Sequence, residues 1–367
     1  MSQGECDLVG VMSGTSLDAI DAAWVQFDAS GALKVLDFES SPITARLREK
    51  LIGLQTDSFG DLELAHRVAL EHADESIEVI GRLIDRMHHR QQALRALAIH
   101  GQTIRHQPKL GYSLQLLAGA YLAEKTGVDV IGDFRSADIA CAGEGAPLVP
   151  AFHDAVFSSD APSAVVNIGG MANISLLIPG KPVGGFDTGP GNVLMDAWIS
   201  KEHNKPFDAG GGWARQGRIH QNLLAALQMD PYFTRKAPKS TGRDLFNLSW
   251  LESRLMHMRG SIPSEDVQRS LLELTAWSIS QACQAEAVRK VWVCGGGAGN
   301  LLLLERIRSL TQVDVETTAA LGIDPQQVEA CAFAWLGYRF LHRQPSNLPS
   351  VTGARRLKVL GALWPAS

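Results

Sequence analysis

The chain has 367 residues, 45% of them hydrophobic and 20% charged, with a formal net charge of −5. Such a composition fits one or two globular domains with a sizeable core, and argues against nucleic acid or anionic membrane as partners bound through a general basic surface. No segment is long and apolar enough to span a bilayer, the N-terminus lacks a signal-peptide pattern, and five scattered cysteines (Cys6, Cys141, Cys283, Cys294, Cys331) form no C-x-x-C pair, so buried free thiols in a cytoplasmic protein are expected.

The apolar run Leu8 to Met12 stops at Ser13-Gly14-Thr15-Ser16, and alternation resumes after Leu17-Asp18 through Ile20, Ala22, Trp24 and Phe27. That pattern predicts a strand, a tight turn and a second strand, with hydroxyls and carboxylates gathered at the bend. Lys34 to Ser41 reads as a third strand. From Asp61 a long amphipathic helix is predicted, with Ala65, Ala69, Ala73, Ile77, Ile80, Ile84 and Met87 on one face. Leu94 to Ile99 is a buried strand ending at His100-Gly101-Gln102-Thr103, Leu114 to Thr126 a helix, and Val128 to Ile131 a strand.

A second unit begins after Pro147-Leu148-Val149-Pro150 and echoes the first. Ala164 to Ile168 and Ala172 to Ile178 form a hairpin through Gly169-Gly170-Met171, Val183 to Phe186 is its third strand, and Asn192 to Ser200 a helix. Residues 203–262 interrupt the echo as an irregular insertion carrying Gly210-Gly211-Gly212, Pro238 and Ser240-Thr241-Gly242. Helices follow over Asp266–Val288, Leu301–Leu310 and Glu329–Leu341, with a strand at Val291–Val293 and a tail, Pro349 to Leu360, of loop and final strand.

Chemistry concentrates at a few bends. Three small-residue turns follow strands: Ser13 to Ser16, Gly169 to Asn173, and Gly295-Gly296-Gly297-Ala298-Gly299-Asn300. None fits the Walker pattern, and the dinucleotide fingerprint lacks its distal acid. Singly each is an ordinary turn; together, two hairpins opening two α/β units and one strand–Gly–helix junction suit the phosphates and adenosine of a nucleotide. The expected nucleotide contacts are Gly14, Thr15, Ser16, Leu17, Asp18, Ala19, Ile20, Asp21, Gly169, Gly170, Asn173, Gly295, Gly296 and Gly297. Asp187, in Gly185-Phe-Asp-Thr-Gly-Pro-Gly-Asn192, sits at the carboxyl end of a strand, where it is either a general base or an N-cap. Glu329, on the helix whose Val328, Ala332, Trp335 and Leu336 mark the core side, reads on its own as a solvated helix residue, with a site carboxylate as the other reading. His100 and Arg135 lie at strand ends, as substrate contacts or members of local salt bridges. His106, His153 and His203 show no metal-ligand spacing.

These strings resemble one family along nearly the whole chain. Gly10-Val-Met-Ser-Gly-Thr-Ser-Leu-Asp18, Ile99-His-Gly-Gln-Thr103, Gly132-Asp-Phe-Arg-Ser136, Gly143-Glu-Gly-Ala-Pro-Leu148, Asn167-Ile-Gly-Gly-Met-Ala-Asn-Ile174, Gly185 to Asn192, Lys239-Ser-Thr-Gly-Arg243, Val293 to Asn300 and Thr352-Gly-Ala-Arg355 are similar to anhydro-N-acetylmuramic acid kinases, of the acetate and sugar kinase/Hsp70/actin superfamily. The resemblance implies an α/β fold of two RNase H-like lobes, residues 1–130 with about 340–367 and residues 131–339. It further implies ATP and Mg²⁺ as cofactors, 1,6-anhydro-N-acetylmuramic acid as substrate, and a homodimer. Asp187 would be the base, Glu329 its partner, and His100, Arg135 and Thr188 further substrate contacts. Two departures stand out. Met12 occupies a place where many superfamily members carry Asp, which leaves Asp18 and Asp187 as the nearest metal candidates, and Ala19 replaces a usual Gly. Another sugar or carboxylate kinase of this fold is the alternative, followed by an actin- or Hsp70-like binding protein.

Overall fold

The first predicted hairpin forms: β1 (Cys6–Ser13) pairs antiparallel with β2 (Ala19–Phe27), which pairs with β3 (Leu33–Pro42). Ala19 is extended here, where a methyl group meets no backbone penalty. The computed structural model describes residues 5–56, 62–89, 93–237 and 239–366; the predicted helix start at Asp61 and Pro238 of the insertion fall outside these. The chain divides into two compact units, Met1–Phe152 with Gln327–Ser367, and His153–Gln326. This places the division some twenty residues beyond the expected 130/131 junction and returns the helix Val328–Leu341 to the first unit, because that helix packs on β1, β2 and β4 (Leu94–Ile99).

In the first unit a hairpin of β5 (Gln102–Gln107) and β6 (Tyr112–Leu116) follows β4. The predicted helix from Leu114 therefore starts only at Gly119, since Leu114 and Leu116 pair across the hairpin with Arg105 and Gln102. With β7 (Val130–Gly132) and β13 (Ala362–Trp364), the main sheet runs β13-β7-β4-β1-β2-β3. The helix Leu62–His89 covers β2 and β3, burying Val68, Ala69, Ala73, Val79, Ile80, Leu83 and Met87. Its inner stripe is thus rotated from the expected one, and Ala65, Ile77 and Ile84 lie only partly buried at its border. Two further helices, Ala45–Thr56 and Val149–Phe157, were not legible in the sequence pattern.

In the second unit β8 (Ser163–Ile168), β9 (Met171–Leu177), β10 (Gly184–Pro190), β11 (Lys290–Cys294) and β12 (Asp314–Thr317) form a sheet of order β10-β9-β8-β11-β12. Three antiparallel strands followed by parallel ones repeat the β3-β2-β1-β4-β7 order of the first unit. The strand-order echo confirms the expected α/β architecture of two like lobes. The insertion is more ordered than expected, with helices at Gln221–Gln228 and Leu248–Leu255 whose Leu223, Leu227, Trp250 and Leu251 join the core under the sheet. The tail forms a short helical turn at Pro349–Thr352 before β13. Four cysteines are buried and free; Cys6 is partly exposed. Among the described residues no helix is long and apolar enough to cross a membrane.

Candidate active site

In the first unit the position of Glu329 follows from small residues. A Cβ on Gly10 of β1 would stand 2.0 Å from the Ala330 carbonyl oxygen and 2.4 Å from the Ala334 nitrogen, so only glycine lets the Val328–Leu341 helix lie backbone to backbone on the strand. Phe333, one turn after Glu329, packs its ring 4.8 Å from that of His100. Arg135 donates from Nη2 to Nε2 of His100 at 2.8 Å and from Nη1 to the Gly145 carbonyl at 2.8 Å. The local salt bridge considered for Arg135 is instead a hydrogen bond to a neutral imidazole, since burial and then the Arg135 charge hold the His100 pKa well below its ordinary value. Burial also pushes Arg135 down to about 10, against the Glu329 charge, which leaves it cationic at neutral pH. Burial, with the Asp21 carboxylate second, raises the Glu329 pKa, and Arg135 opposes them.

Asp21 lies directly opposite Met12 in the β1–β2 ladder and accepts a hydrogen bond from Ser40 at 2.6 Å. A carboxylate is therefore present one strand away from the place where Met12 departs from the superfamily. Asp18 is exposed and meets Arg48 at 3.4 Å. Leu17 and Ile20 are buried in the core, so their side chains fix the turn rather than line a ligand site. Gly14, Thr15 and Ser16 form that turn, with Gln102 donating to the Gly14 carbonyl at 3.2 Å and accepting from Ser13. The tie to Gln102 has no separate sequence signal beyond the His100–Thr103 string.

In the second unit β8, β9 and β10 place Asn167, Asn173 and Asp187 in one row across the sheet. Asp187 is not an N-cap. Its strand continues through Pro190, past a bulge between Asp187 and Gly189, where the sequence pattern ended it at Phe186. The Thr241 N–H donates to Asp187 Oδ2 at 3.0 Å, the Tyr232 hydroxyl donates to the Asp187 carbonyl at 2.6 Å, and the Asp187 N–H donates to the Lys239 carbonyl at 3.1 Å. The carboxylate's Oδ1 makes no hydrogen bond among the described residues. Burial raises the Asp187 pKa and the Thr241 N–H opposes it. Tyr232, 45 positions away, carries no sequence signal, whereas Lys239 and Thr241 belong to the Lys239–Arg243 string. Thr188, the residue in that bulge, is buried, with its hydroxyl donated to the Ala172 carbonyl at 3.2 Å. The hydroxyl expected to contact substrate thus already bonds the main chain of the neighbouring strand.

The Gly-rich bends of this unit pack on one another. A Cβ on Gly295, whose φ is +78°, would meet Asn167 Oδ1 at 2.2 Å, and one on Gly297 would meet Ile168 Cγ2 at 2.3 Å. At Gly296 the nearest atom is Asn192 Nδ2, 4.0 Å away, so this glycine borders open space. The Gly169 and Gly170 carbonyls accept from the N–H groups of Asn192 and of Gly191 and Val193, which ties the bend to the start of the helix Val193–His203. Among the described residues no three His, Cys, Asp or Glu side chains converge as a metal site.

The family model of anhydro-N-acetylmuramic acid kinase matches residues 6–366. An anhydro-N-acetylmuramic acid kinase of Bordetella petrii is 45% identical over 98% of this chain and 96% of its own length. One of Burkholderia cenocepacia is 47% identical over 97% of this chain and 95% of its own. The solved structure of the activator of 2-hydroxyisocaproyl-CoA dehydratase from Clostridium difficile, with ADPNP bound, covers 92% of this chain and 96% of its own at 12% identity and a TM-score of 0.48. The chain belongs to the anhydro-N-acetylmuramic acid kinase family.

Proposed function

From that membership we propose that the protein opens the 1,6-anhydro ring of 1,6-anhydro-N-acetylmuramic acid with water and transfers the γ-phosphoryl group of ATP to O6, giving N-acetylmuramic acid 6-phosphate and ADP for reuse of cell-wall sugar. The observation that carries this reading is Asp187: a strand carboxylate with one oxygen fixed by the Thr241 N–H, the other free of hydrogen bonds among the described residues, and a raised pKa. Such a group is oriented yet able to take a proton.

Water loses a proton to Asp187 as its oxygen bonds to C1 and the C1–O6 bond breaks. The electron pair left on O6 captures the phosphoryl group, ADP departs, and the proton passes from Asp187 to solvent. The phosphoryl group takes the role that a proton from a glycosidase's general acid would fill, so one base suffices. Glu329 orients the water or sugar hydroxyls, and Arg135, held by His100, meets anionic or hydroxyl oxygens of the sugar. Gly14 to Ser16, Gly169 and Gly170 approach the phosphates, and Gly296 the adenosine. Magnesium, when bound, would neutralise charge on the phosphates, and it is commonly held by one or two carboxylates besides them. Asp18 is its first candidate ligand, because its ion pair with Arg48 is exposed and weak, and Asp187 the second, because a metal-bound carboxylate is a poorer base. A cytoplasmic homodimer completes the reading.

The test is turnover of the anhydro-sugar with ATP in ¹⁸O water, read by mass spectrometry. Label is expected at C1 and none in the phosphate ester; label in released phosphate would reduce the activity to ATP hydrolysis.

A further inference from the structure

The Lys239–Arg243 segment lies outside the regular elements yet is anchored to the candidate base from both sides. Its Lys239 carbonyl accepts the Asp187 N–H at 3.1 Å, and its Thr241 N–H reaches the Asp187 carboxylate at 3.0 Å. Lys239 Nζ stands 4.7 Å above the ring of Tyr232, whose hydroxyl bonds the Asp187 carbonyl, so the segment is fixed in place. Two groups on it remain unused. The Thr241 hydroxyl oxygen is buried and has no partner among the described residues. Arg243 is exposed, forms no ion pair among the described residues, and carries Nη2 within 3.9 Å of where a Cβ on Gly170 would stand. Gly170 sits at the tip of the β8–β9 bend, and its N–H donates to nothing among the described residues. A guanidinium and a backbone N–H on neighbouring segments, both unengaged among the described residues, suit an anionic oxygen.

We propose that Arg243, together with the Gly170 N–H, binds the terminal phosphoryl group of ATP, and that the Lys239–Arg243 segment couples this contact to the orientation of Asp187. The proposal rests on the reading of Asp187 as the base, because that places the segment at the reacting end of the nucleotide rather than at adenosine. Arg243 stabilises charge on the transferring group, while Thr241 is a positioning residue that acts through the carboxylate it holds.

Calorimetric titration of the full chain with a non-hydrolysable ATP analogue and with ADP tests the contact without turnover. Arg243→Ala is expected to weaken the analogue by roughly 10- to 100-fold and leave ADP unchanged, with Arg243→Lys between them because an ammonium lacks the planar fork. Turnover by Arg243→Ala should fall on the order of 10²–10³-fold. The side chain is exposed and forms no ion pair among the described residues, so an unaltered melting temperature is the accompanying expectation. A loss equal for both nucleotides, a loss confined to the sugar, or no loss overturns the proposal. If the wild-type chain fails to open the anhydro-sugar, the reaction reading falls, while the analogue-against-ADP comparison still decides Arg243.

Discussion

At the scale of single residues, the two carboxylates differ in what holds them, and that difference is measurable. Asp187→Asn keeps an oxygen for the Thr241 N–H but cannot take a proton, so it should fold and bind ATP while turnover falls on the order of 10²–10⁴-fold. Because burial raises the Asp187 pKa above 3.8, the ionised base is lost as pH falls through that raised value. The acid limb of kcat/KM should therefore lie above pH 3.8, and a wild-type limb at or below that value would contradict the assignment. Glu329→Gln should also slow turnover, and an unimpaired variant would return Glu329 to a purely structural role. The glycines separate in the same way. Gly295→Ala should lower the melting temperature through its positive φ and its contact with Asn167, whereas Gly296→Val should leave stability intact and weaken ATP. Unchanged ATP affinity in folded Gly296→Val would remove that loop from the nucleotide site.

At the scale of elements, the seam between β1 and the Val328–Leu341 helix decides where Glu329 stands. Gly10→Val would drive a branched side chain into the Ala330 carbonyl and the Ala334 nitrogen, which are backbone and cannot rotate away. A loss of about 3 kcal/mol or more is expected, read as a lower denaturation midpoint; a near-native midpoint would mean the helix is not pinned there. Sequence pattern found both Gly-bend hairpins, the helix bearing Glu329 and the Asp187 string, because local alternation and helical spacing carry those elements. It could not find the β5–β6 hairpin, where Tyr112, Leu114 and Leu116 suit either a strand or a helix until β5 supplies the partner. Nor could it find that β10 runs on through Asp187, since the pairing of Asp187 with Asn173 is a tertiary fact. The clamp of Tyr232 and Thr241 on Asp187 was hidden for the same reason: the hydrogen bonds span 45 and 54 positions.

At the scale of the whole molecule, one strand order is used twice, but the two units close differently. The second is a continuous stretch, whereas the first needs the chain to return after Gln326. That return supplies the helix covering β1, β2 and β4, and it supplies β13, which pairs with the outer strand β7. It also supplies Asn347 and Thr352, which bond the buried carboxylate of Asp138 at 2.7 and 2.9 Å. A chain ending at Gln326 would expose one face of the first sheet and leave that carboxylate short of donors, a combination of apolar exposure and unsatisfied charge that single substitutions do not reach. Its first unit is therefore expected to lose cooperative unfolding. A fragment of residues 149–326, which keeps the helix Val149–Phe157 whole, retains its own sheet and core and should unfold cooperatively by itself. Thermal melts followed by near-ultraviolet circular dichroism would compare the two. Sharp melting of the truncated chain with native near-ultraviolet signal for both units would show that the C-terminal return is dispensable. A fragment 149–326 without a melting transition would show that the second unit does not fold alone.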